Sequence, residues 1–171
     1  MDYLNIKKND ILPVVEELNL LLAEYHIYYQ KLRSFHWNIV GKNFFDLHVK
    51  FEELYGDARL KIDEIAERIL TLKHHPVSNY SDYLRNATIQ EESFLKRDAE
   101  MVRAILNDHK QLFIQMKNVM DQAEKAEDEG TLDIMGGYIA SLEKSSWMLN
   151  AWLTSGNAQL ETTLLEEATK A

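Results

Sequence analysis

From Ile11 to Val40 apolar residues recur at helical spacing, and no residue that breaks a helix intervenes before Gly41. A run of this length and period is satisfied by one long helix. Pro13 falls in its first turn, where a missing N–H is tolerated, and Asn9 or Asp10 stands where a cap is needed. Tyr25, Tyr28, Tyr29 and Leu32 sit three and four residues apart and read as packing residues. His26 has no recognisable partner and reads as solvated or locally bonded.

The same period resumes after Gly41. Leu47, Phe51, Leu54, Leu60, Ile62, Ile65 and Ile69 carry the apolar positions of a second helix from Asn43 to about Leu72. It stops near His74-His75-Pro76, because proline disfavours helix in the residue before it. Consecutive helical residues point about 100° apart, so His74 and His75 are helix-end residues and not a chelating pair. Ser81 can cap one or two short turns in the segment that follows. A third helix begins near Gln90 or Ser93, with Met101, Ile105, Leu112, Met116 and Met120 as its core stripe. It ends among Asp121, Glu124, Glu127, Asp128 and Glu129, ahead of Gly130. Thr131 then caps the last helix, which Gly156 closes.

These elements predict an all-α fold: a four-helix bundle with a short extra helix in the connection between the second and third helices. The bundle spans 9–156, after a short N-terminal extension at 1–8 and before an acidic C-terminal tail at 157–171. A chain of 171 residues, 46% of them hydrophobic, is the size of one domain with a substantial core. Cysteine is absent, which excludes disulfide frameworks, iron–sulfur clusters and thiolate zinc sites. No apolar segment approaches a membrane span and no signal-type segment is visible, so the expectation is a cytoplasmic protein without membrane contact. The net charge of −9 repels phosphate backbones and attracts cations to negatively lined openings.

Four residues stand out chemically. His36 and His48 lie twelve residues apart on either side of Gly41; Asp63 follows His48 by fifteen and Glu67 follows Asp63 by four. Two imidazoles and two carboxylates make a ligand set for a divalent first-row metal such as iron, for which zinc or manganese can compete. On one continuous helix His48 and Asp63 are roughly 60° apart in azimuth but about 22 Å apart along the axis. A metal–ligand bond spans only about 2 Å. The histidine end and the carboxylate end therefore need two copies of the chain to meet. A two-fold dimer with this helix antiparallel to its mate brings them together in two equivalent sites.

His36-Trp37-Asn38, Gly41, Phe44, Leu47-His48, Tyr55, Asp63 and Ala66-Glu67-Arg68 resemble the signature of the Dps family of ferritin-like mini-ferritins. Glu143-Lys144 with Trp147-Met148-Leu149 resembles the family's last helix, so the likeness runs from about Asn9 to Leu153. The resemblance implies a ferritin-like bundle assembled as a homo-dodecamer built from two-fold dimers. It implies ferroxidase sites between subunits, where His36, His48, Asp63 and Glu67 bind iron and Glu52 serves a second, weaker iron. Iron(II) would be oxidised by hydrogen peroxide, or oxygen, and stored as iron(III) mineral. Trp37 would absorb stray oxidising equivalents, and Asp121, Glu124, Asp128 and Asp133 would line a three-fold pore. No histidine here has a glutamate three residues before it, so the Glu-x-x-His di-iron centre of other ferritin-like bundles is absent.

A nucleoid-compacting, DNA-binding Dps protein is the rival reading. DNA affinity rests on lysine and arginine neutralising phosphates. The N-terminal extension offers Lys7 and Lys8 against Asp2 and Asp10, and the tail sets Glu161, Glu166 and Glu167 against Lys170. DNA binding at neutral pH is therefore not expected.

Overall fold

The structure, a computed structural model, describes residues 8–92 and 97–154. Five helices follow one another: α1 (Lys8–Asn38), α2 (Phe44–Thr71), α3 (Tyr80–Asn86), α4 (Asp98–Lys125) and α5 (Glu129–Leu153). No strand occurs among the described residues. The four long helices form the bundle: α1 packs on α2 and on α4, α4 packs on α5, and the short α3 lies against α1. Residues 1–7 of the N-terminal extension, Ser93, Gly156 and the tail at 157–171 lie outside the described residues.

The core is built from the apolar positions that the periodicity picks out. Leu18, Leu32 and Phe35 of α1 meet Phe51 and Ile65 of α2, with Ile105 and Leu112 of α4 completing the interior, all completely buried. Each such side chain contributes about 1.5–3 kcal/mol relative to exposure. Tyr25 and Tyr28 are buried as packing residues, while Tyr29 is partly buried at the core's edge. Leu60, by contrast, is 61% exposed, so it belongs to the outer face of α2.

α1 and α2 join in a tight antiparallel hairpin. Gly41 takes φ +102°, a left-handed conformation that a side chain would strain, and Phe44 N–H bonds back to its carbonyl at 3.1 Å. Asn43 is the residue ahead of α2, as the pattern predicts. At the far end, Lys73 adopts φ 63° and the chain leaves the helix before Pro76.

Several boundaries differ from the sequence reading, each for a reason of contact. α1 is already helical at Lys8, so Asn9 and Asp10 lie within it. Asn79, not Ser81, precedes α3. α4 starts at Asp98 rather than near Gln90, and the chain just ahead of Gln90 is held by Glu24 on α1. Its carboxylate accepts from Thr88 N–H (2.7 Å), Thr88 Oγ1 (2.7 Å) and Ile89 N–H (2.8 Å), and Ile89 is buried. Arg97 N–H donates to Glu100 Oε2 at 2.9 Å, which sets the first turn of α4. Asp128, not Thr131, caps α5: its Oδ1 accepts from Thr131 N–H at 3.1 Å and its Oδ2 from the Thr131 hydroxyl at 2.6 Å.

Candidate metal centre

The hairpin brings His36, in the last turn of α1, against His48, in the second turn of α2. Their rings stack with centroids 3.8 Å apart and 23° between planes. Each ring also donates to the main chain of the other: His36 Nδ1–H to His48 O at 2.8 Å, and His48 Nδ1–H to His36 O at 3.0 Å. A carbonyl can only accept, so both Nδ1 atoms carry hydrogen. In the neutral rings both Nε2 atoms then present a lone pair. A metal-binding histidine is ordinarily held in this way, its second nitrogen bonded to a carbonyl that fixes tautomer and orientation. His36 is 8% exposed and packed beside the edge of Tyr55 at 5.3 Å, while Phe44 stacks on His48 at 4.8 Å.

α2 runs unbroken from Phe44 to Thr71, so the axial separation of His48 and Asp63 is real within one subunit, about 22 Å. Asp63 and Glu67 are exposed on the distant half of that helix. Among the described residues no three histidine, aspartate or glutamate side chains of one subunit converge on a metal-sized site. A subunit thus offers an imidazole pair at one end and a carboxylate pair at the other.

The remaining candidates are placed as follows. Glu52 is exposed one turn beyond His48, and Tyr55 Oη donates to its Oε1 at 3.2 Å, which sets it at the histidine end. Trp37 is 58% exposed, with the Arg33 guanidinium 4.7 Å from its ring centroid. Asp121 and Glu124 are exposed near the end of α4, and Asp133 is exposed near the start of α5. Asp128 is buried among them and already engaged: besides capping α5 it pairs with Arg68, whose Nε donates to the Thr131 hydroxyl at 3.0 Å. That carboxylate is a structural clamp between α2 and α5.

Sequence reasoning missed two histidine environments. His26 is half-buried and has a partner that the sequence does not show: its ring stacks on Tyr83 of α3 at 3.9 Å and 13°, and burial lowers its pKa. His109 sits in the core, 3% exposed, between the Tyr28 hydroxyl and the Ser146 hydroxyl, each 2.7 Å away. Desolvation, reinforced by the nearby Lys61 charge, pushes its pKa down to about 4. Beside it Lys31 pairs with Asp108 in the interior, Nζ lying 2.8 and 2.7 Å from the two oxygens. Burial nonetheless raises the Asp108 pKa to about 6, against the pull of Lys31.

Comparison with known proteins agrees with this architecture. Residues 15–158 match the model of the ferritin-like domain. The chain is 41% identical over 140 residues to "DNA protection during starvation protein 2" of Bacillus anthracis, covering 82% of this chain and 96% of that protein. It is 38% identical to the "DNA protection during starvation protein" of Porphyromonas gingivalis, over 90% of this chain and 97% of the relative. Among solved structures, the Dps protein of Vibrio cholerae O1, described as one of the ferritin-like diiron-carboxylate proteins, superposes with a TM-score of 0.87 at 40% identity, covering 90% of this chain and 97% of that one. The Bacillus brevis Dps structure gives 0.83 at 40% identity, over 86% and 99% of the two chains. The ferritin-like bundle, the carbonyl-held histidine pair and these likenesses agree: the chain belongs to the Dps family of ferritin-like proteins.

Proposed function

We propose that this protein removes iron(II) by oxidising it at sites shared between two-fold related subunits and stores the iron(III) inside a hollow homo-dodecamer. The observation that carries this reading is the reciprocal main-chain anchoring of His36 and His48, which leaves two Nε2 lone pairs ready for a metal. Asp63 and Glu67 of the facing subunit supply the carboxylates that offset the charge of the bound ions. Glu52, held near the histidines by Tyr55, serves a second iron.

Iron is the substrate here. Two iron(II) ions give one electron each to one hydrogen peroxide, which takes up two protons and leaves as two waters. Matching two one-electron donors to a two-electron oxidant releases no hydroxyl radical. The chain's own residues bind and orient the ions and, through Phe44, Tyr55 and the stacked rings, limit water around them. Exposed Asp121, Glu124 and Asp133 fit a cation path at the junction of α4 and α5, and Trp37 stands where escaping oxidising equivalents would meet it. Zinc and manganese are the competing ions for the same ligands.

The relatives' names speak of DNA protection. In this chain, with a net charge of −9, we read protection as chemical, through removal of iron and peroxide in the cytoplasm, and not as coating of DNA. No described helix is long and apolar enough to cross a membrane.

The test is anaerobic iron(II) titration followed by peroxide, comparing the parent with His36→Ala/His48→Ala and with Asp63→Ala/Glu67→Ala. Both double variants are expected to assemble and to lose fast oxidation. Co-assembling them should restore activity, since one of the two sites at each mixed interface pairs intact histidines with intact carboxylates. Unchanged oxidation in both variants would overturn the assignment. A gel shift at low salt that retards DNA would favour the architectural reading instead.

A further inference from the structure

The bundle interior holds a hydrogen-bonded triad that the iron site does not use: Tyr28 on α1, His109 on α4 and Ser146 on α5. Its proton positions follow from the geometry. Ser146 Oγ donates to Leu142 O at 2.7 Å, so toward His109 it can only accept, and His109 Nδ1 carries the hydrogen. The imidazole is neutral in this buried position, which leaves its Nε2 as an acceptor. The hydrogen in the 2.7 Å contact between Tyr28 and His109 therefore belongs to the phenol and points at a base.

That arrangement suits loss of an electron from the ring. A phenol that loses an electron becomes a strong acid, and a buried cation radical with no proton acceptor is costly. Here the proton has an imidazole at hydrogen-bond distance. His109 and Ser146 also line the groove between α4 and α5, so the new charge lies beside the surface.

Aromatic rings lead from the histidine pair as far as Tyr29, on the same turn of α1 as Tyr28. His36 meets Tyr55 at 5.3 Å between centroids, Tyr55 meets Tyr29 at 6.1 Å, and Tyr29 is the chain neighbour of Tyr28. Two other tyrosines donate to carboxylates. Tyr55 makes a longer 3.2 Å bond to exposed Glu52, and Tyr138, which donates to Glu64 Oε2 at 2.7 Å, has the Lys61 ammonium 5.1 Å from its ring, which opposes removal of an electron.

We propose that Tyr28, with His109 as its proton acceptor, is a built-in one-electron donor that completes peroxide reduction when a site holds a single iron(II). The proposal rests on the ferroxidase reading. One electron comes from iron(II) and one from Tyr28; the phenolic O–H breaks and its proton bonds to His109 Nε2. Hydrogen peroxide takes both electrons and two solvent protons and leaves as two waters. The products are iron(III), the Tyr28 phenoxyl radical and the His109 imidazolium, and hydroxyl radical is not released.

The experiment uses the full-length assembled protein loaded anaerobically with one iron(II) per site, mixed with peroxide and freeze-quenched for electron paramagnetic resonance. Iron(III) absorbance is recorded alongside. The parent is expected to give a tyrosyl signal. Tyr28→Phe should lose it, and His109→Gln, whose amide can still bond Tyr28 and Ser146 but cannot take the proton, should lose it as well. Trp37→Phe should keep it. At full iron loading Tyr28→Phe and His109→Gln should oxidise iron at the parent's rate. A signal unchanged in Tyr28→Phe, or one removed only by Tyr55→Phe, overturns the proposal. Absence of iron(III) in the parent would instead indict the ferroxidase reading. The Tyr28 pair is then judged by flash oxidation with a ruthenium polypyridyl complex: a Tyr28-dependent, His109-dependent radical supports the pair, and its absence overturns it.

Discussion

Two parts of this bundle hold histidine on opposite terms. His36 and His48 each have one nitrogen tied to a carbonyl and the other left over. His109 has both nitrogens tied to hydroxyls, 2.7 Å on each side. The first arrangement stops one hydrogen bond short of completion, and that deficit makes a ligand. The second is complete, and its value is internal. The same residue type thus becomes an outward-facing metal donor or an inward-facing part of the core according to how many partners the fold supplies.

The contrast breaks most sharply at the core histidine. His109→Leu leaves the buried Tyr28 hydroxyl without a partner, at about 1–3 kcal/mol, and takes one hydrogen bond from the half-buried Ser146, at about 1 kcal/mol. We expect a loss of about 3–4 kcal/mol in denaturant melts at fixed protein concentration, while the assembled fraction still oxidises iron at full loading. A fall in oxidation without a fall in stability would mean that the two regions are not separate.

Acid gives the next largest effect. The folded pKa of His109 is about 4 against an ordinary value of 6.5, so between these values the unfolded chain binds a proton that the folded chain does not. The stability it contributes is complete above pH 6.5 and is lost as pH falls toward 4, on the order of 3 kcal/mol in total. Asp108, raised to about 6, has the opposite sign: its folded form holds a proton that the unfolded chain has released, so its contribution falls as pH rises from about 4 to 6. Comparing melts of the parent and His109→Gln across pH 4–7 cancels Asp108 and isolates the histidine. A difference that stays flat with pH would refute the assignment.

At the surface pair the signs reverse. His48→Ala should lower iron oxidation by at least the roughly 10–100-fold that follows loss of a supporting metal contact, yet cost under about 1.5 kcal/mol of stability, because it removes one partly exposed hydrogen bond. Stopped-flow oxidation and a denaturant midpoint together check this. The smallest effect is expected for Tyr28→Phe, about 1 kcal/mol for one buried hydrogen bond, again by denaturant melt.

Much of this was legible in the sequence because it is local. The apolar period and Gly41 set the α1–α2 hairpin, and the helical rise alone separates His48 from Asp63 by more than any ion can bridge. What stayed hidden depends on contacts between distant segments. The course of the chain after α3 is fixed by Glu24, more than sixty residues earlier, holding Thr88 and Ile89. The stack of His26 on Tyr83 exists only once α3 docks on α1. Asp128 reads as one acid in a cluster until Arg68 arrives from α2. His109 lies on an apolar stripe with no local mark of its two hydroxyl partners. The reciprocal bonding of His36 and His48 was equally out of reach, since their spacing shows that the rings can meet and not which nitrogen is engaged.

The main-chain anchoring of the histidine pair has a consequence for how this site can be altered. Peptide carbonyls are present whatever the neighbouring side chains are, so mutational drift around His36 and His48 leaves their orientation in place. Retuning their spacing means changing the hairpin itself, and the sensitive point is Gly41, whose φ of +102° strains any side chain. For protein engineering the α1–α2 hairpin is therefore a transplantable unit: its aim travels with its backbone, and a designer would graft the turn rather than the two imidazoles alone.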